Sequence, residues 1–176
     1  MKKIFILFAV VGLVAFSSCE GPEGPEGPQG EPGYDGLIGT VYENTSNNYY
    51  NFNSSNDYSV GFNFPKKLIE SDVVLVYRFD GVDSGNRPVW QALPETYFLA
   101  DGTRDFSFKY VFTENYVNIY LDGNDRATIP ADYRLQQIFR IVVVPADFAA
   151  SVNKSSYLDV TTKMNLKESQ IQDIKL

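Results

Sequence analysis

From Val41 onward apolar and polar residues alternate with a period of two, and that period decides what the chain can fold into. Tyr58, Val60, Phe62 and Phe64 are separated by Ser59, Gly61 and Asn63. Phe106, Phe108, Tyr110 and Phe112 alternate with Ser107, Lys109 and Val111, and Val117, Ile119 and Leu121 alternate with Asn118 and Tyr120. Successive side chains of a strand point to opposite faces, so each stretch reads as a half-buried strand. Residues 72–79 (DVVLVYRF) and 138–144 (IFRIVVV) are nearly continuous apolar runs, short and rich in β-branched residues. They read as central strands covered on both faces. Weaker candidates are 41–44, 49–53, 89–93 and 96–100. The expected class is all-β: a single β-sandwich, or a closed barrel, of about eight to ten short antiparallel strands. After Pro145 the alternation fades. Residues 147–151 read as a loop or one helical turn, and Ser155-Ser156 as a cap for a short helix over 157–164, so at most one short C-terminal helix is expected.

Asp-Gly pairs fall at Asp80-Gly81, Asp101-Gly102 and Asp122-Gly123, 21 residues apart each time. Glycine accepts positive φ without a steric penalty, which suits hairpin turns. The spacing equals two strands and two turns, so the three pairs are expected at one end of a meander. Asp80, Asp83, Asp101 and Asp122 are then the candidates for a calcium site, since calcium takes six to eight oxygens. No stretch carries the spaced carboxylates of a calcium loop, and the reading of these residues as turn formers stands beside the calcium one.

The 176 residues contain one cysteine, Cys19, and no histidine. A disulfide framework, Ser-His-Asp and Cys-His catalysis, and histidine zinc sites are therefore excluded. No catalytic residue is assigned, and the expectation is a protein that is not an enzyme. The formal charge of −7 becomes −9 once Lys2 and Lys3 leave with a cleaved leader. Five of those negative charges lie at Glu20, Glu23, Glu26, Glu31 and Asp35. Binding to nucleic acid is not expected, because phosphate binding needs a basic face.

The N-terminus carries its own pattern. Met1-Lys2-Lys3 precedes an uncharged, mostly apolar run at 4–16, too short to serve as a permanent span. Phe16-Ser17-Ser18-Cys19 then resembles the lipobox of bacterial lipoproteins, although position 16 is usually aliphatic in that family. The resemblance implies cleavage between Ser18 and Cys19, acylation of Cys19, and a mature protein anchored to a membrane by its lipid. Two or more acyl chains hold a protein stably, at about 0.8 kcal/mol per buried CH₂.

Glycine follows at every third position from Gly21 to Gly39, with proline at Pro22, Pro25, Pro28 and Pro32. This run resembles collagen-like sequence, in which only glycine fits at the axis of the triple helix. It is short, and Tyr34, Asp35, Leu37 and Ile38 suit a triple helix poorly. The reading is an extended acidic spacer of a monomer, reaching roughly 60 Å at ~3.1 Å per residue, with a short trimeric stalk as the alternative. The domains expected are 1–18 as signal peptide, 19–39 as lipidated cysteine and tether, and 40–176 as the β-sandwich.

Taken whole, the order of lipobox, acidic Gly-Pro run and β-rich domain resembles small exported lipoproteins of Gram-negative bacteria. That implies an outer-membrane location, facing either the surface or the periplasm, and a structural or interaction role in the cell envelope with a protein partner. The alternative is a glycan-binding module, motivated by the run of Asn, Ser and Tyr at 44–58. There Tyr49 and Tyr50, with Trp90, are the candidates to stack on sugar rings while amides bond hydroxyls. Arg78 and Arg140 each interrupt an apolar strand, and a buried guanidinium has to be paired, so both are expected beside a carboxylate or at a sheet edge.

Overall fold

The computed structural model describes residues 39–174; the expected signal peptide, Cys19 and the expected tether up to residue 38 lie outside them. Nine strands occur among the described residues: β1 (Thr40–Glu43), β2 (Ser59–Asn63), β3 (Asp72–Val82), β4 (Pro88–Ala92), β5 (Glu95–Phe98), β6 (Arg104–Phe112), β7 (Tyr116–Gly123), β8 (Phe139–Pro145) and β9 (Gln172–Asp173). They form two sheets, one of five strands in the order β4-β3-β8-β1-β9 and one of four in the order β2-β7-β6-β5. The architecture is a β-sandwich and not a closed barrel. All pairs are antiparallel except β1 with β9, where Tyr42 opposes Gln172 in parallel register.

Alternation sets what each sheet buries. Tyr42, Val74, Val76, Phe139, Ile141 and Val143 of the first sheet meet Phe106, Phe108, Val117, Ile119 and Leu121 of the second, all in one buried cluster. Phe52, in the irregular segment after β1, packs edge-on against both Phe108 and Phe139 and closes that core. The other face of the first sheet carries Val41, Leu75, Tyr77, Val142 and Val144 and is also buried. It is covered by α2 (Ala146–Ser151) and α3 (Tyr157–Lys163), which bring Ala149 and Val160 onto it. Strands β3 and β8 are thus apolar on both faces because both faces are covered.

The helices exceed the single one expected. A further turn, α1 (Ala131–Arg134), precedes β8. Residues 49–53 form no strand, only an isolated bridge between Tyr50 and Gln137. Among the Asp-Gly pairs, Asp101-Gly102 makes the β5–β6 hairpin turn, where Gly102 has φ +83° and Leu99 N donates to Thr103 O. Gly81, at φ +90°, lies where the β3–β4 register shifts between Phe79 and Val82, and the turn itself follows at Asp83. Gly123 still belongs to β7, opposite Phe106.

One end of β3 lacks a neighbouring strand. Strand β4 pairs with β3 only from Tyr77 onward, and the chain then leaves through Leu93-Pro94, a cis peptide, for the second sheet. On the vacated edge one carbonyl is occupied from the second sheet, where the Tyr110 hydroxyl donates to Val74 O at 3.0 Å and Val74 is 1% exposed. Covering a strand edge in this way blocks edge-to-edge pairing. Tyr110→Phe should leave the carbonyl without its partner and cost about 1 kcal/mol, seen in urea denaturation as a lower midpoint with an unchanged slope.

Candidate functional site

The site is built where the far end of β3 meets the loop before β8. Residues 131–138 are held by backbone bonds to the 50–52 segment: Phe52 N donates to Arg134 O at 2.7 Å, and Tyr50 and Gln137 exchange both their backbone bonds. Phe79 N donates to Ile138 O, which ties the same loop to β3. Gln136 sits at φ 56°, in the left-handed region, with its N–H on Asn51 Oδ1. Between these segments lies a cavity of about 650 Å³, whose polar lining comes from Asn51, Arg78, Asp80, Asp132, Gln136 and Gln137.

Arg78 forms its floor. The alternation of β3 turns this side chain inward with Val74 and Val76, and it is 4% exposed. Its Nε donates to Glu95 at 2.8 Å, and Nη2 reaches Asp80 at 2.6 Å and the Tyr97 hydroxyl at 2.8 Å. Tyr97 in turn donates to Glu95 at 2.6 Å. The guanidinium lies 5.3 Å from the Phe108 ring centre and 5.9 Å from that of Tyr133, within cation–π range. Burial opposes its charge, but the hydrogen bonds and negative charge of Glu95 outweigh that and hold it protonated above the ordinary arginine value. Nη1 donates one bond, to Phe79 O at 3.2 Å, and among the described residues its second N–H meets no acceptor.

Gln137 is 6% exposed. Its amide nitrogen donates to Asp132 O and Leu135 O, both at 2.7 Å, while its Oε1 accepts nothing among the described residues. Among the described residues, the side-chain atoms that are sealed away without a partner are Tyr50 Oη and Trp90 Nε1, so Gln137 Oε1 instead opens onto the cavity it lines. Asn51 Nδ2 and the Asp132 carboxylate likewise make no protein hydrogen bond among the described residues, although Asn51 Oδ1 is engaged.

Arg140 occupies the opposite face of the same sheet. It bonds Glu43 and Tyr157, and Nη2 meets Glu168 at 2.8 Å. The Trp90 ring lies 4.3 Å from its guanidinium carbon. This node fastens α3 and the 168–170 turn to the sheet, which is an ordering task.

The residues proposed from sequence do not converge. Asp83 pairs with Arg87 at 2.7 Å and Asp80 with Arg78. Asp101 accepts from Thr103 N, and Asp122 takes Lys109 and Arg104 on the outer face of the second sheet. Among the described residues no group of three or more His, Cys, Asp or Glu side chains is placed to hold a metal ion. Tyr49 is half-buried, Tyr50 is in the core against Phe139, and Trp90 lies under Tyr157, so the three rings share no surface. Most amides of the 44–58 run serve the backbone. Asn44 is fully buried, donating to Gln137 O and accepting from Phe139 N, and Asn48 donates to Ile174 O. Asn51 alone of them lines the cavity, whereas Asp132, Gln136 and Gln137 carry no motif that sequence reading would select.

Compared with known protein families, curated proteins and solved structures, the chain has no match in any of the three.

Burial raises Tyr50 from the ordinary tyrosine value to about 12. With the folded value above the unfolded one, its share of stability is complete below about pH 10 and lost as the pH rises towards about 12. Tyr50→Phe should therefore lose less stability than wild type across that alkaline window in denaturation curves. At neutral pH it should be as stable or more so, because it removes a buried hydroxyl that has no partner.

Proposed function

We propose that this chain is a lipoprotein of the bacterial cell envelope, acylated at Cys19 and carried to the outer membrane. Its Gly-Pro run acts as a monomeric spacer that holds residues 40–176 off the bilayer as an interaction or structural domain for a protein partner. The observation that carries the reading is Phe16-Ser17-Ser18-Cys19 closing an apolar run, with the chain's single cysteine in the place an acyl anchor needs. Two features support it. The sequence lacks histidine, which narrows the chemistry open to an enzyme. Among the described residues, no helix is long and apolar enough to cross a membrane, which is compatible with an N-terminal lipid as the anchor.

A second reading, a glycan-binding module on the same anchor, is favoured by the amide and carboxylate lining of the cavity beside Arg78. It moves the sugar contacts from Tyr49, Tyr50 and Trp90 to side chains that have hydrogen-bonding capacity left. A calcium role for the Asp-Gly turns has no comparable support, because each aspartate is engaged elsewhere.

Expression in a Gram-negative host with labelled palmitate tests the anchor. Wild type should incorporate label and fractionate with the outer membrane, and Cys19→Ser should do neither. Label retained by Cys19→Ser would refute acylation at that residue.

A further inference from the structure

We infer that the cavity between the end of β3 and residues 131–138 is a binding site for a neutral, hydroxyl-rich ligand, a sugar, with Gln137 and Arg78 at its floor and Asn51 and Asp132 at its rim. This rests on the glycan-binding reading and gives it a place and a chemistry.

The free hydrogen-bonding groups decide the class of ligand. Among the described residues, the side-chain amide N–H groups of Asn51 and Gln136 and the second Nη1–H of Arg78 have no protein acceptors. Among the described residues, Gln137 Oε1, Gln136 Oε1 and the Asp132 carboxylate have no protein donors. Gln137 Oε1 opens onto the cavity with no protein donor among the described residues, so it is an acceptor ready for a donor that arrives there. A hydroxyl donates one hydrogen bond and accepts others, so adjacent hydroxyls on one ring satisfy both sets together.

Charge disfavours an anion. Asp80 and Asp132 line the cavity and repel an anion. The volume of about 650 Å³ lies within the ~300–1,000 Å³ usual for small-ligand sites, and Leu135, 43% exposed, gives the rim an apolar patch for a ring face.

The full chain, purified in detergent, is titrated with neutral mono- and disaccharides, with sulfated sugars and spermine as charged controls, and read by saturation-transfer NMR and calorimetry. At least one neutral sugar should bind while the charged controls do not. Asp132→Ala and Asn51→Ala should each weaken that binding about tenfold, the usual scale for losing a hydrogen bond in a ligand site. The Asp132 side chain makes no protein hydrogen bond among the described residues, so its variant tests binding without disturbing the fold. Lys109→Ala, on the outer face of the second sheet, should bind as wild type does. Sugar binding unchanged in both rim variants would overturn the site but leave the glycan reading standing. Binding of spermine or sulfated sugars in preference to neutral ones would overturn the ligand class, and failure of every neutral sugar to bind would overturn both the site and the reading.

Discussion

Arg78 stands on the inner face of the sandwich, where alternation along β3 would otherwise place a third aliphatic residue after Val74 and Val76. A guanidinium there must be paired with a carboxylate, because an isolated buried charge costs far more than one side chain's packing returns. The pairing comes from the other sheet: Glu95 and Tyr97 of β5 reach across, and Asp80 closes the ring from β3 itself. One interaction therefore fixes how the end of β3 sits over the first residues of β5, and it sets the floor of the cavity. Without Glu95 in place, the inner faces at that end would have no reason to hold a cleft instead of closing on apolar contact.

Arg140 shows the same constraint solved on the reverse face of the same sheet. Tyr77 of β3 opposes Arg140 of β8, and Arg78 opposes Phe139, so the two arginines point to opposite sides. On the outer side the charge is met by Glu43, Glu168 and the rings of Trp90 and Tyr157. That arrangement fastens the C-terminal segments over the sheet and leaves little for a ligand. On the inner side, one N–H of Arg78 has no acceptor among the described residues, and the residue lines the cavity. Two similar sequence features thus serve different ends, and what separates them is which face of the sheet each one takes.

The sandwich was legible because period two is a local signal: the inward sets of β2, β6 and β7 and the two-sided burial of β3 and β8 follow from residues a few positions apart. The pairing of both arginines with carboxylates was legible as a requirement, though the partners were not, since Glu95 and Glu168 lie 17 and 28 residues away and are chosen by sheet topology. The parallel β1–β9 pair was not legible, because two residues carry no period. The Asp-Gly spacing misled in part. It marked the correct ends of strands, but glycine's freedom served a register shift at Gly81 and a turn at Gly102. Nor could Gln137 be singled out, because its standing as a buried amide with a free oxygen arises only when residues 131–138 fold against 50–52. Tyr50 and the buried Asn44 illustrate the reverse: polar and aromatic residues in a row suggested a recognition surface, and most of them hold the backbone together.

The central claim is that Arg78 and Glu95 form one buried unit joining the two sheets at the cavity floor. A double-mutant cycle of Arg78→Met and Glu95→Leu, followed by urea denaturation, tests it most directly. Arg78→Met strands Glu95 and should lose about 3–5 kcal/mol. Glu95→Leu leaves Arg78 with Asp80 as its one remaining carboxylate and should also destabilise. The double variant should lose much less than the sum of the two. Losses that simply add would mean that the two side chains do not depend on each other, and would contradict the account.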